Sequence, residues 1–135
     1  MPGIKIVIGL STGRCVQREL TEEQSKSLYG KKVGDTVSGD LVGLAGYEFS
    51  VTGGSDYCGF PMRKDVAGMN RRKIFAVEGI GLKKKAAGVR VRKTVAGNTI
   101  FAKTHQVNLK VLKEGQEKLV VEAVAAPAQE AKAAA

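Results

Sequence analysis

The chain has 135 residues and a formal net charge of +9, and 43% of its residues are hydrophobic while only 5% are aromatic. This length fits one domain with a core of Val, Ile and Leu and is too short for two. No uncharged apolar run approaches the roughly 20 residues of a membrane helix. The two separated cysteines, Cys15 and Cys58, fit a reducing compartment. We therefore expect a soluble cytoplasmic protein with no membrane partner.

Two short runs at the start of the chain predict a β-hairpin. Ile4–Leu10 is rich in β-branched residues, and Arg14–Leu20 alternates polar and apolar side chains. The turn residues Ser11, Thr12 and Gly13 separate them. This arrangement is typical of two antiparallel strands joined by a tight turn.

A single helix is predicted next, over about residues 21–29. Thr21 is a favourable N-cap residue, and Gln24 stands at the spacing of a capping box. Gly30 is a natural stop for the helix. Leu28 and Tyr29 are the candidates for its buried face. Because the helix is short, packing must hold it in place.

The rest of the chain reads as short strands and a tail. The strand-like pieces are Thr36–Val42, Tyr47–Thr52, Arg71–Val77, Val89–Val95 and Gln106–Leu112. With one helix and no alternating βαβ pattern, they predict a mainly β fold. We expect a small antiparallel β-barrel-like domain over residues 1–115. The composition then becomes rich in Ala, which predicts a flexible tail over residues 116–135.

The positive charge is concentrated in one block. Residues 61–110 hold 13 of the 22 Lys and Arg residues but only 2 of the 13 Asp and Glu residues. Such clustering is typical of a surface that binds a polyanion, and Arg can contact two phosphate oxygens at once. The predicted RNA-binding residues of this block are Arg63, Lys64, Arg71, Arg72, Lys73, Lys83, Lys84, Lys85, Arg90, Arg92, Lys93 and Lys103. On a strand, Arg90 and Arg92 would share one face.

The aromatic residues of the basic block are few. Phe75 and Phe101 both lie in apolar, strand-like surroundings, which predicts that they are buried. Stacking on single-stranded bases is therefore poorly supplied. The sequence favours recognition of folded RNA through its backbone and shape.

The segment Thr52–Met62, TGGSDYCGFPM, is the most distinctive run in the chain. Its glycines permit unusual backbone angles, and Asp56 can accept hydrogen bonds from nearby amides in an Asx-type turn. The segment is either a rigid loop that presents its backbone to RNA or a partner, or a turn made rigid for folding. It is not a phosphate-binding P-loop, because no Lys-Ser or Lys-Thr follows the glycines.

Catalysis finds little support in the sequence. His105 is the single histidine, and with two separated cysteines it provides no metal-binding set. The carboxylates show no paired arrangement. We therefore predict no catalytic residues, no metal, no cofactor and no small-molecule substrate.

The runs TGGSDYCGFPMRKDVAG, RKTVAGNTI and QVNLKVL together resemble the archaeal form of the archaeal–eukaryotic small-subunit ribosomal protein six family ("S-six-e"). KKVGDTVSG and LVGLAG are similar to the family as well, and the resemblance covers roughly residues 3–115. The residues that correspond to the family's signature are Gly53, Gly54, Asp56, Gly59, Phe60, Pro61 and Met62. Asn98, with Arg92 and Lys93, corresponds to a basic turn where the resemblance implies RNA contact.

The resemblance implies a structural constituent of the small ribosomal subunit that binds ribosomal RNA, contacts neighbouring ribosomal proteins and supports subunit assembly. Two other functions fit the residues alone. One is a free-standing RNA-binding or RNA-chaperone protein that uses the same basic block. The other is a protein–protein adaptor that docks through the glycine-rich segment.

Overall fold

The computed structural model describes residues 3–83, 86–116 and 119, so nearly all of the predicted tail lies outside the described residues. The helices and strands are, in chain order, β1 (Lys5–Gly9), β2 (Cys15–Glu19), α1 (Glu22–Leu28), β3 (Thr36–Ser38), β4 (Glu48–Asp56), β5 (Arg72–Ala76), β6 (Val91–Val95) and β7 (Thr104–Lys113). A 3-10 turn, Gly39–Val42, follows β3. None of the helices in these residues is long and apolar enough to cross a membrane.

Five strands form the main sheet, in the order β2-β1-β7-β4-β3. The neighbours are antiparallel except for β1 and β7, which run parallel with Lys5 opposite Gln106. The predicted mainly β fold with one short helix is confirmed. The sheet is open rather than closed, because β2 and β3 are its edges within the described residues. β3 is only three residues long, so the chain leaves the sheet before it can pair further.

The core lies against one face of this sheet. In β1, Ile6 and Ile8 are fully buried while Val7 between them faces the other side, which is the alternation expected of a half-buried strand. Burying such a side chain stabilises the fold by about 1.5–3 kcal/mol. The core is completed by residues from α1, β4, β7 and the loop before β7, including Leu28, Phe49, Ile100 and Leu109.

Helix α1 closes one edge of the core. The capping box predicted at Thr21 and Gln24 is present, and Leu28 is fully buried. Tyr29, predicted to be buried, is 38% exposed, because it follows the helix in an extended conformation that turns its side chain away. Ser25 is buried instead: its hydroxyl donates to the Thr21 carbonyl and accepts from the Ile4 amide, which ties the helix to the start of β1.

Strands β5 and β6 form a separate two-stranded ribbon outside the main sheet. They pair antiparallel, with Arg72 opposite Val95 and Ala76 opposite Val91. The ribbon is joined to the body where Val95 is fully buried and where Met62 bridges to Ala96. The two strands of the ribbon carry four exposed cations of the basic block: Arg72, Lys73, Arg92 and Lys93.

Candidate nucleic-acid interface

One side of the β5–β6 ribbon carries an exposed aromatic ring among cations. Phe75 lies opposite Arg92, and Lys73 lies opposite Thr94, so these side chains share a face. We call Lys73, Phe75, Arg92 and the adjacent Arg90 the ribbon face. Phe75 is 66% exposed, so the prediction that it is buried is wrong. The ribbon has only two strands. Val95 lies on its other side and is buried against the protein.

Arg90 reaches the same ring from the residue just before β6. Its guanidinium carbon lies 5.9 Å from the centroid of Phe75, within the range of a cation–π contact. Arg90 and Arg92 thus both lie beside Phe75. The ribbon face combines three positive charges with one flat apolar surface, which suits a phosphate backbone with an adjacent ribose or base.

The opposite side of the ribbon carries further cations. Lys93 and Lys83 line a cleft of about 280 Å³ together with Val91, Leu82 and Gly81. Arg72, on this side, is exposed. The predicted contacts Lys84 and Lys85 lie outside the described residues.

Among the predicted RNA-binding residues, Arg63 and Asn98 have side chains engaged within the protein, as has Arg71. Arg63 is only 13% exposed, donates to the carbonyl of Ile80 at 3.0 Å and pairs with Asp65 at 2.6 Å. Asn98 donates to the carbonyl of Lys64 at 3.4 Å and accepts from the hydroxyl of Thr99. These side chains hold loops beneath the basic surface. Lys64 itself is exposed, and its side chain lies against Gly34.

The signature segment is partly strand and partly turn. Gly53, Gly54 and Asp56, predicted to lie in a loop, belong to β4, which contains register shifts at Val51/Gly53 and at Ser55/Asp56. These irregularities and the glycines hid the strand in the sequence. Met62 is buried, and its amide donates to the carbonyl of Gly54 at 2.9 Å. The geometry of Gly53, Gly54 and Met62 supports the interpretation that this segment is rigid for folding.

Asp56 organises the turn that follows β4. One carboxylate oxygen accepts from the amides of Cys58 and Phe60, both at 3.0 Å, which confirms the predicted Asx-type turn. Gly59 completes it with a φ of +85°, a conformation that favours glycine. The other carboxylate oxygen lies 2.5 Å from Nε of Arg71. Asp56 is 3% exposed, so this ion pair fixes Arg71 from within the protein.

Arg71 is held by aromatic rings as well as by charge. Its guanidinium carbon lies 4.9 Å from the ring centroid of Tyr57 and 5.0 Å from that of Phe60. The hydrogen bond with Asp56 is the main cause that raises the pKa of Arg71 above its ordinary value. Arg71 is therefore a permanent cation in a fixed position, one-third exposed at its side chain.

A cleft of about 220 Å³ opens beside Arg71. The cleft is lined by the buried Asp56 and by Tyr57, Met69, Asn70, Arg71, Phe101 and Lys103. Arg71 and Lys103 are predicted RNA contacts, whereas sequence reasoning missed Tyr57, Met69 and Asn70. They come together through long-range contacts, such as the bond from the Tyr57 amide to the Lys103 carbonyl, which leave no local signal in the sequence.

The described residues contain no group of three or more His, Cys, Asp or Glu side chains that could hold a metal ion. Cys15 and Cys58 are both exposed and unpaired.

Comparisons with known proteins show that the chain is similar to ribosomal proteins. The family model described as "Ribosomal protein S6e" matches residues 4–123. The chain is 46% identical over 115 residues to "Small ribosomal subunit protein eS6" of Nanoarchaeum equitans, covering 84% of each chain. It is 43% identical to the protein of that name from Methanosphaera stadtmanae, covering 84% of this chain and 87% of the relative. The Methanocaldococcus jannaschii protein is 40% identical, with 88% and 89% covered.

Proposed function

Since the chain belongs to the ribosomal protein S6e family, we propose that it is a structural constituent of the small ribosomal subunit and binds ribosomal RNA through the β5–β6 ribbon. Its relatives are named as small-subunit proteins. The proposal places the chain in the cytoplasmic ribosome, in contact with ribosomal RNA and neighbouring ribosomal proteins. It acts there as architecture and not as an enzyme.

The observation that carries the RNA-binding surface is the exposure of Phe75 among the cations of the ribbon face. A ring that is 66% exposed gains nothing from the core. On this projecting element it is available to pack on a ribose or base while the cations contact phosphates.

The exposed cations set the expected strength of the electrostatic component. Each phosphate contact contributes about −0.9 to the slope of log K against log salt on a duplex and about −0.7 on a single strand. A protein that makes 6–10 such contacts loses about 10³–10⁵ in affinity between 50 and 200 mM salt. The exposed cations on the two sides of the ribbon in the described residues are Arg72, Lys73, Lys83, Arg90, Arg92 and Lys93.

Two triple variants test the surface at equal net charge. In the first, Lys73, Arg90 and Arg92 are replaced by Gln; in the second, the control, Arg14, Arg18 and Lys26 are replaced by Gln. All six side chains are exposed, and both variants lower the formal charge from +9 by three. We expect the ribbon variant to lower the magnitude of the salt slope on small-subunit ribosomal RNA by about 2–3. The control should keep the wild-type slope and affinity; equal losses in both variants would show that net charge alone drives binding.

Assembly is tested separately by sedimentation of a cell lysate through a sucrose gradient at high salt. An integral constituent migrates with the small subunit and with whole ribosomes. A free-standing RNA-binding protein held by charge alone is released as salt rises and stays at the top of the gradient. An adaptor that works through the glycine-rich segment would lose nothing in the ribbon variant.

A further inference from the structure

The cleft beside Arg71 lies on the same molecule as the ribbon face but has a different chemistry. Two of its walls are apolar side chains that remain in solvent: Tyr57 is 60% exposed and Met69 is 50% exposed. Phe101, partly buried, adds a third apolar surface. Apolar side chains gathered around a concave site are a feature of ligand-binding surfaces.

The Tyr57 ring is held in place before any ligand arrives. The guanidinium of Arg71 lies over it at 4.9 Å, and Arg71 is itself fixed by the buried carboxylate of Asp56. The Tyr57 amide donates to the Lys103 carbonyl at 3.1 Å, which fixes the backbone beneath the ring. A preorganised ring loses little conformational freedom on binding, so more of the contact energy appears as affinity.

The charges around the cleft select an anionic ligand. Arg71 and Lys103 stand in its lining, and the single carboxylate there, Asp56, is already paired with Arg71. The amide of Asn70 adds a donor and an acceptor. A flat ring system attached to a phosphate matches aromatic walls and cations at once, whereas an apolar peptide would leave the cations unmatched.

The volume of the cleft limits the size of the ligand. At about 220 Å³ it is smaller than the roughly 300–1,000 Å³ of pockets that enclose drug-sized molecules. It accommodates a single planar base and leaves the sugar and phosphate outside, next to Lys103 and Arg71.

We propose that this cleft binds one unpaired nucleobase of the RNA, stacked on Tyr57 beside Met69. The proposal deepens the proposed function and rests on it. Arg71 directly precedes β5. A strand rises about 3.3 Å per residue, so Arg71 and Phe75 are about 13 Å apart. The ribbon face holds the phosphates of an RNA helix while a bulged nucleotide of that helix enters the cleft.

The test uses three RNA hairpins of the same stem: one with a single bulged nucleotide, one with an abasic site at the bulge, and one fully paired. The bulged and abasic hairpins carry the same number of phosphates, so their affinity ratio isolates the base. We expect the wild-type protein to bind the bulged hairpin about 5- to 150-fold more tightly than the abasic one. The two salt slopes should be equal.

Three single variants test whether the difference in affinity between the bulged and abasic hairpins comes from the cleft. Tyr57→Leu should bring the ratio close to one while leaving the affinity for the fully paired hairpin unchanged, which also shows that the variant is folded. Tyr57→Phe keeps the ring and should keep the ratio. Tyr29→Leu, at an exposed tyrosine that does not line the cleft, is the control and should keep the ratio as well.

The outcomes separate this inference from the proposed function. A wild-type ratio near one, or a ratio that survives Tyr57→Leu, overturns the base-binding cleft even when the ribbon variant still loses RNA affinity. If the ribbon variant binds all three hairpins as tightly as the wild-type protein, the proposed RNA surface fails. In that case the ratio of the affinities for the bulged and abasic hairpins, compared between the wild-type protein and Tyr57→Leu, alone decides whether the cleft binds a base.

Discussion

Gly54 of β4 packs directly on the carbonyl oxygen of Gln106 in β7, so closely that a methyl group on Gly54 would overlap that oxygen. Its neighbour Gly53 has nothing within 4 Å of the corresponding position. We expect Gly54→Ala to lower the free energy of unfolding by about 1–3 kcal/mol, the usual cost of overpacking. Urea unfolding followed by circular dichroism measures the change. Gly53→Ala is the matched control in the same strand and should cost less than the Gly54 substitution; equal losses would contradict the close approach.

Asp56 should matter for stability through the turn that it organises. Asp56→Ala removes the acceptor of the Cys58 and Phe60 amides together with the ion-pair partner of Arg71, so we expect a loss of at least about 1–3 kcal/mol in the free energy of unfolding. Asp35→Ala is the comparison, since Asp35 accepts one amide bond from Lys32 in an exposed turn. Its loss should be roughly 0.5 kcal/mol. Thermal unfolding of both variants at equal concentration compares them, and a larger loss at Asp35 would refute the assignment.

The capping box should hold helix α1 against the sheet. Thr21→Ala removes the side-chain oxygen that accepts from the Gln24 amide, and we expect the protein to lose about 1 kcal/mol of stability. Ser27→Ala, in the exposed last turn of the helix, should be nearly neutral, because the higher helix propensity of Ala offsets the loss of an exposed hydrogen bond to the Glu23 carbonyl. Chemical denaturation reports both. No loss at Thr21 would mean that the buried contacts of Ser25 and Leu28 fix the helix without the cap.

Phe75 should affect RNA binding without affecting folding. Because the ring is mostly exposed, Phe75→Ser should change stability by no more than about 0.5 kcal/mol. We expect it to weaken binding of small-subunit ribosomal RNA severalfold and to leave the salt slope unchanged, since no charge is removed. Fluorescence anisotropy titrations at three salt concentrations test both points. A changed slope would show that Phe75 acts by positioning Arg90 or Arg92.

Local signals in the sequence predicted the elements that depend on neighbouring residues. The capping box of Thr21 and Gln24, the hairpin of β1 and β2 and the Asx-type turn at Asp56 each rest on contacts within a few positions. The strand predicted over Thr36–Val42 is correct only as far as Ser38, where the 3-10 turn begins. That turn is stabilised by the bond from the Gly39 amide to Tyr47, which short-range patterns do not show.

The features that the sequence did not predict depend on distant contacts. The parallel pairing of β1 with β7 joins the first and last strands of the described chain, and periodicity carries no information about strand order. Phe75 was predicted to be buried because apolar neighbours flank it. Only one side of the ribbon packs on the protein, at Val95, and Phe75 lies on the other side. The cleft around Tyr57 and Met69 depends on the contact between Asp56 and Arg71, which are 15 positions apart in the sequence. Basic residues could thus be predicted as a block, while the apolar part of the interface could not.

The central place of β7 has a consequence for the biosynthesis of the protein. β7 lies between β1 and β4, so no strand pairing links the hairpin of β1 and β2 to the pair of β3 and β4 until β7, which ends at Lys113, has been translated. At synthesis rates of 5–20 residues per second, β1 waits roughly 5 to 20 seconds for its partner. Pairing between such distant segments is also intrinsically slow. The hairpin of β1 and β2, with Ile6 and Ile8, therefore emerges before its central partner strand, and the main sheet is completed only after β7 has been translated.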